Sequence, residues 1–262
     1  MRELLFAAIG TGATCFATIL GSATVFFFKK GMKDLTQKIF LGFAAGVMIA
    51  ASVWSLLIPA MNMAKEQGQM VAPPVAIGFV VGGVFLMLLD KVVPHLHIGS
   101  KETEGPHTKL QRNTMIVIAV TLHNIPEGMA VGLAFAVAAQ SKDPGAFAGA
   151  VALAIGMGIQ NFPEGAVISL PLKAGGTSSM KAFLCGAASG VVEPIFGILT
   201  VLVASTVTGI MPWILSFAAG AMIYVVVEEL IPEAHLGEHS HAGTVSVMFG
   251  FLVMMMLDVF MT

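Results

Sequence analysis

Apolar residues occur along this chain in long runs, separated by short charged or Pro- and Gly-rich stretches. A helix needs about 20 apolar residues to cross the hydrocarbon core of a bilayer, and each of the eight runs reaches that length. The pattern therefore predicts eight membrane-spanning helices and no soluble domain. The predicted spans cover residues 4–28, 39–63, 71–93, 113–139, 145–172, 180–206, 212–232 and 243–262.

The composition agrees with an all-α polytopic membrane protein. Of 262 residues, 56% are apolar and 11% are charged, whereas soluble domains contain about 25% charged residues. This excludes an ordinary soluble enzyme and a disordered chain, and the formal net charge of −2 gives no sign of a nucleic-acid partner. Cys15 and Cys185 both lie in apolar runs, so we expect neither a disulfide framework nor a thiolate metal cluster.

Basic residues are unequally distributed between the two faces that the spans define. Cytoplasmic loops are enriched in Lys and Arg. The face with the loops after spans 1, 3, 5 and 7 contains ten basic residues and the other face contains three. The ten are Lys29, Lys30, Lys33, Lys38, Lys91, Lys101, Lys109, Arg112, Lys173 and Lys181; the three are Arg2, Lys65 and Lys142. We therefore expect both termini to lie outside the cytoplasm.

Two parts of the chain repeat each other. The sequence FAAGVMIA…LLIP at 43–59 recurs as FAAGAMIY…ELIP at 217–232, with an offset of one residue, and spans 3 and 8 end on Asp90 and Asp258. We expect these two aspartates to lie at solvated helix ends. Spans 2 and 7 enter the membrane from opposite faces, so the repeat is predicted to be inverted, as in many secondary transporters. The chain is then a single transporter domain of 3+2+3 spans, with repeat 1 over about 4–93, a central pair over about 113–172 and repeat 2 over about 180–262.

The central pair of spans contains a duplicated polar motif, HNIPEG at 123–128 and QNFPEG at 160–165. Helix residues three and four apart share a face, so each motif presents a carboxylate beside two nitrogen- or oxygen-bearing side chains. These are His123, Asn124 and Glu127 in span 4, and Gln160, Asn161 and Glu164 in span 5. A rise of about 1.5 Å per residue places them near the middle of the bilayer, and Glu193 of span 6 reaches a similar depth.

These carboxylates need a counterion. Each costs about 2.5–3.5 kcal/mol at the centre of a membrane helix, and no Lys or Arg occurs in the interior of any span. The counterions that remain possible are protons or a bound cation. Oxygen and nitrogen ligands without thiolates favour a divalent first-row metal over Cu(I). For Glu193 alone, a protonated structural role is an alternative hypothesis.

The two motifs, together with VVEPIFG in span 6, resemble those of the ZIP (Zrt/Irt-like) family of metal-ion transporters, in its bacterial GufA-type branch, over essentially the whole chain. The resemblance implies uptake of Zn²⁺, with Cd²⁺, Fe²⁺ and Mn²⁺ as further cargo, by a homodimer in the bacterial inner membrane that uses no cofactor. It also implies a binuclear centre in which Glu127 and Glu164 bridge two ions. The first site would contain His123, Glu127, Gln160, Glu164 and a thioether from Met48; the second would contain Asn124, Glu127, Asn161, Glu164 and Glu193.

Two departures from the family pattern change the charge of this centre. Many relatives have His at the position of Gln160, and some have an acidic residue at the position of Asn161. Neutral amides lower the charge and basicity of the centre, so metal preference and occupancy of the second site stay open.

Histidines and carboxylates also occur outside the centre, in the loops after spans 3 and 7. His95, His97 and His107 lie in the first loop, and His235, His239 and His241 lie in the second, near Glu228, Glu229, Glu233 and Glu238. We expect these side chains to receive metal at the inner mouth, or else to form a hydrophilic connector. Glu228, Glu229 and His235 are the weaker candidates for metal ligands.

Three mechanisms fit a metal centre at mid-membrane. The favoured one is alternating access, in which spans 1, 4, 5 and 6 move with the metal against a scaffold of spans 2, 3, 7 and 8. A divalent-cation channel is the first alternative. An intramembrane metal-dependent hydrolase is the second, and it is disfavoured because HExxH is absent and only one histidine lies in a span.

Overall fold

The structure, a computed structural model, describes residues 2–28, 32–96, 105–106, 112–141, 144–206, 209–235 and 241–261. These residues form helices and no β-strand. Eight helical segments are long and apolar enough to cross a membrane, which confirms the predicted all-α membrane class. We number them α1 to α8.

The first four segments have these bounds: α1, Arg2–Ala23 and a 3₁₀ turn Thr24–Phe26; α2, Asp34–Ala51, a π-helical turn Ser52–Leu57 and Ile58–Glu66; α3, Ala72–Val92; and α4, Arg112–Gln140. The last four are α5, Pro144–Ala174; α6, Ser179–Gly190 and Val192–Thr206; α7, Met211–Val225, a π-helical turn Val226–Leu230 and Ile231–Ala234; and α8, Ala242–Met261.

The local sequence explains where two helices begin, and a third helix is interrupted next to a predicted ligand. Helix α2 begins before the apolar run, at Asp34, because a carboxylate in the first turn is stabilised by the partial positive charge of the helix N-terminus. Helix α5 begins at Pro144, a residue suited to a first turn that needs no backbone N–H. Helix α6 is interrupted at Val191, which places Glu193 in the first turn of its second half.

The π-helical turns explain the one-residue offset between the repeated sequences. Both turns begin nine residues after the first Phe of FAAG, at Ser52 and at Val226. The turn in α2 has six residues and the turn in α7 has five. The extra residue is therefore accommodated inside a π-helical turn, a local widening that is frequent at functional sites.

Glycines bring the scaffold helices into close backbone contact in two equivalent pairs. In α3, Gly82 packs against the carbonyl oxygen of Phe217 in α7; in α8, Gly250 packs against the carbonyl oxygen of Phe43 in α2. Phe43 and Phe217 are the first residues of the two FAAG sequences. The two FAAG sequences therefore make equivalent contacts with a neighbouring helix.

The helices form two groups. The most extensive contacts join α2 with α8, α3 with α7, α1 with α5, and α4 with the second half of α6. None of these pairs connects a helix of the set α1, α4, α5 and α6 with a helix of the set α2, α3, α7 and α8. The polar motifs of α4 and α5 lie where the two groups meet.

Candidate metal centre

A small cavity of about 30 Å³ lies between α2, α4, α5 and α7. Its polar lining comes from both motifs and from α7, and Met48 of α2 adds a thioether. The lining includes Met48, His123, Glu127, Gln160, Glu164, Glu229 and Glu233. A space of this size holds a metal ion or a water molecule and excludes an organic substrate.

The five side chains of the first predicted site therefore share one cavity. Met48 is buried, and it lines the same cavity as the four residues from the motifs. The cavity extends from Glu127 and Glu164 past Phe40 of α2 and Ala119 of α4 to Glu233, near the end of α7. It thus leads toward the face that contains the α1–α2, α3–α4, α5–α6 and α7–α8 connections.

The remaining three predicted ligands, Asn124, Asn161 and Glu193, are fully buried behind the cavity. The side-chain N–H of Asn161 donates to Glu193 Oε1 at 2.9 Å, and its carbonyl oxygen accepts from Gln160 Nε2 at 2.5 Å. Asn124 donates from Nδ2 to the carbonyl oxygen of Ser189 at 3.0 Å. The second cluster is therefore linked to the first through the two neighbouring amides.

Helix α1 contributes a partner that the sequence analysis did not identify. Thr18 donates from Oγ1 to Glu193 Oε1 at 3.3 Å. It belongs to a row of buried hydroxyl residues on one face of α1: Thr11, Thr14, Thr18 and Ser22. Their spacing of three and four residues is visible in the sequence and indicates a polar helix face.

Four oxygen atoms of the centre are buried without a hydrogen-bond partner in the described part of the chain. They are Asn124 Oδ1, Glu127 Oε2, Glu164 Oε1 and Glu193 Oε2. Buried acceptors are nearly always bonded, so an unpartnered set on neighbouring side chains indicates a missing cation or protons. With the imidazole and thioether beside the cavity, the donors fit a divalent metal such as Zn²⁺.

The carboxylates are not arranged around a common metal position. Within the described residues, no three His, Cys, Asp or Glu side chains lie close enough together to hold an ion in the present arrangement. Glu127 and Glu164 interact instead with the amides of Gln160 and Asn124, and all three glutamates repel one another. An ion between them would remove that repulsion and draw them together.

The weaker candidates from α7 separate into two cases. Glu229 is buried and its carboxylate contacts Nε2 of His123. Glu228 is exposed and is not part of the cavity lining. His235 is also exposed, and its two ring nitrogens lie 2.9 Å from the carbonyl oxygen of Ile231 and 3.0 Å from Thr244 Oγ1. The structure brings Glu229 to the centre and leaves the other two outside it.

Of the aspartates that end α3 and α8, Asp258 is buried and Asp90 is partly buried, and both contact other side chains, so the expectation of solvated helix ends is wrong. Asp258 accepts from Ser55 at 3.1 Å. Asp90 accepts from Tyr224 at 3.1 Å and lies 2.8 Å from His95 Nε2. Each aspartate thereby joins two scaffold helices. Of the other predicted loop ligands, His97, His107, His239 and Glu238 lie outside the described residues, and His241 precedes α8.

Comparison with known proteins gives consistent matches. Residues 95–258 match the sequence profile of a family described as "ZIP Zinc transporter". The chain is 37% identical to "Zinc transporter ZIP11" of Xenopus tropicalis, over 98% of this chain and 97% of the relative. It is also 37% identical to "Zinc transporter GufA" of Myxococcus xanthus, over 83% and 84% of the two chains. Identity to "Zinc transporter ZIPB" of Bordetella bronchiseptica is 36%, over 97% of this chain and 80% of the relative.

Proposed function

Because the chain belongs to the ZIP family of zinc transporters, in its GufA-type branch, we propose that it takes up Zn²⁺ into the cytoplasm through the centre between α4 and α5. The protein is an integral membrane transporter of divalent metal and not an enzyme. Its cargo is the ion itself. No further cofactor is part of the proposal.

The observation that supports this site is the set of four buried oxygens without partners, next to a cavity that also contains an imidazole and a thioether. Zn²⁺ accepts nitrogen, oxygen and sulfur ligands in a flexible geometry. Cd²⁺, Fe²⁺ and Mn²⁺ use overlapping ligands and are proposed as competing cargo. In this proposal Glu127 and Glu164 are the central ligands, since they come from the two motifs and both reach the cavity.

The position of the cavity and the charge of the loops support the proposed direction of transport. It leads from the glutamates to Glu233, on the face whose loops contain ten of the thirteen basic residues. Basic loops mark the cytoplasmic side. We therefore propose that both termini lie outside, that the arrangement seen here is directed inward, and that the protein resides in the bacterial inner membrane.

The grouping of the helices supports alternating access over an open pore. The centre lies between two packed groups, and the ligands come mainly from one of them, α4, α5 and α6. Movement of that group against α2, α3, α7 and α8 would expose the ion to each face in turn. Function as a homodimer is part of the proposal, and the mass of the purified protein in detergent tests it.

The experiment that tests the function is metal flux into liposomes that contain the purified protein. Zinc entry is followed with an internal dye, with and without external Cd²⁺, Fe²⁺ or Mn²⁺, and with no ATP. We expect zinc flux above that of empty liposomes, and its inhibition by the competing ions. Flux of none of the four metals above empty liposomes would contradict the proposal. Flux that grows without saturation as zinc concentration rises indicates a channel.

A further inference from the structure

Asn161 is the residue of the centre whose hydrogen-bonding groups face protein partners on both sides. Its N–H group donates to Glu193 at 2.9 Å, and its carbonyl oxygen accepts from Gln160 at 2.5 Å. Exchange of its oxygen and nitrogen would place two acceptors against each other at Glu193, so these contacts define the orientation of the amide. The oxygen that a second metal ion would need from this residue already accepts a hydrogen bond from Gln160.

Glu193 is likewise satisfied on one side. Its Oε1 accepts from Asn161 Nδ2 and from Thr18 Oγ1. The carboxylate also lies in the first turn of the second half of α6, where the helix N-terminus stabilises negative charge. The two donors and the helix N-terminus therefore give Glu193 Oε1 three sources of positive potential without a cation, and Oε2 is the oxygen that has no hydrogen-bond partner among the described residues.

Charge gives an independent argument. The centre contains three carboxylates, Glu127 and Glu164 at the cavity and Glu193 behind it, and residue 161 contributes none because it is an amide. Two divalent ions would exceed the charge of these three groups, and uncompensated charge is costly in a low-dielectric site. Glu229 does not supply the missing charge behind the cavity, since it lies on the cavity side and pairs with His123.

We propose that Asn161 makes this a single-ion centre: its side-chain N–H takes the place of a second cation as the partner of Glu193. One divalent ion then binds beside the cavity, between Glu127 and Glu164. Asn161 acts as a positioning residue for Glu193 and is not a metal ligand. The inference presupposes the proposed transport function, and it replaces the two ions implied by the family resemblance with one.

The test is the number of zinc ions that the purified protein retains. Each variant is equilibrated with excess zinc, separated from free metal and measured by elemental analysis. Glu127→Gln, which lacks a central ligand, gives the zinc held elsewhere on the chain, and this amount is subtracted. We expect one ion for the unmodified protein and two for Asn161→Asp, because the substitution removes the N–H donor and adds a carboxylate. Asn62→Asp adds the same charge at an exposed position of α2 and should leave the number at one.

The outcomes separate this inference from the function beneath it. Two ions in the unmodified protein, or one in a folded Asn161→Asp protein, overturn the single-ion centre and leave zinc transport standing. No zinc above the Glu127→Gln level, together with no flux, refutes both. X-ray absorption of the zinc-loaded unmodified protein gives a second measurement that needs no variant. We expect no metal–metal vector at about 3.5–4 Å, the separation in two-metal sites, and its detection would overturn the inference.

Discussion

At the scale of single residues, the three glutamates of the centre repel one another when they are ionised. Glu127 is repelled by Glu164 and by Glu193, and it is buried with one oxygen unpartnered. A divalent ion bound between the carboxylates replaces this repulsion with attraction, because opposite charges attract strongly in a medium of low dielectric. The same three groups should therefore destabilise the metal-free protein and stabilise the metal-bound one.

Glu127→Gln should separate these two effects. Without metal, its melting temperature should equal or exceed that of the unmodified protein, because one of three repelling charges is gone. Zinc at a hundred times its dissociation constant stabilises a folded protein by about 2.7 kcal/mol, and this increment should be lost in the variant. Thermal unfolding in detergent, with and without zinc, measures both.

Glu66→Gln is the control for this prediction. Glu66 is exposed at the end of α2, so its neutralisation should leave the zinc-induced shift intact. A Glu127→Gln protein that zinc still stabilises as strongly as the unmodified one would show that this carboxylate does not hold the ion.

Glu229 competes with the ion for one atom, Nε2 of His123. When Glu229 holds the imidazole, the ion loses a ligand and its release toward the cavity mouth is favoured. Glu229→Gln should therefore still bind zinc but release it more slowly, by about tenfold, since hydrogen bonds to charged groups contribute about 1.5–3 kcal/mol. Stopped-flow transfer of bound zinc to a chelator measures the rate.

The neighbouring Glu228 provides the matched control, because it is exposed and outside the cavity lining. Glu228→Gln should release zinc at the rate of the unmodified protein. Equal or faster release from Glu229→Gln would exclude this competition for His123.

At the scale of helices, the repeat is visible in pairs of close backbone contacts. A Cβ atom at Gly82 would collide with the main chain of α7, whereas at the next residue, Gly83, the nearest atom is the carbonyl oxygen of Gly220 at 3.6 Å, an ordinary contact. Backbone cannot move aside as a side chain can. We therefore expect a Cβ atom to destabilise the protein by about 1–3 kcal/mol through overpacking at Gly82 but not at Gly83.

Gly82→Ala should thus lower the melting temperature, and Gly250→Ala should lower it by a similar amount because it disturbs the equivalent pair of helices. Gly83→Ala should leave it unchanged or raise it, since Ala favours helix over Gly by about 1 kcal/mol. Thermal unfolding of the three variants in one detergent compares them. A Gly82→Ala protein as stable as Gly83→Ala would contradict the close packing of α3 on α7.

The helices themselves could be predicted from the sequence, and the reason is local. A membrane helix is recognised by about 20 consecutive apolar residues. Residues that favour a helix start, such as Asp34 and Pro144, shift its ends by a few positions. The offset between the repeats was also visible, but its cause was not. A π-helical turn depends on hydrogen bonding along the folded helix. The sequence shows that one residue is inserted, but not at which turn of the helix it is accommodated.

At the scale of the whole molecule, the sequence indicated which polar side chains share a helix face, but not which distant residues they contact. The paired motifs identified His123 and the carboxylates because helical spacing places them on one face. Contacts between distant segments, such as Thr18 with Glu193 and Asp90 with Tyr224, depend on which helices become neighbours. Individual residues give no signal for that, which is why Asp90 was expected at a solvated helix end.

The division into two helix groups leads to the last prediction, on movement between them. Gly156 of α5 and Met254 of α8 lie in contact across the boundary between the groups. In a protein whose native cysteines, Cys15 and Cys185, are replaced, we expect a disulfide between Gly156→Cys and Met254→Cys to stop zinc flux while zinc remains bound. The physical reason is that alternating access requires the groups to slide, whereas binding requires the centre alone.

The matched controls are the two single variants, Gly156→Cys and Met254→Cys, each made in the same cysteine-free background. Each carries one of the substitutions but cannot form the 156–254 disulfide, so its flux under the oxidant should stay at its level before oxidation. Flux is measured in liposomes before oxidation, after it, and after reduction, with the cross-linked fraction read from electrophoresis. Full flux through a completely cross-linked 156–254 protein would show that the groups need not move, and a channel mechanism would then replace alternating access.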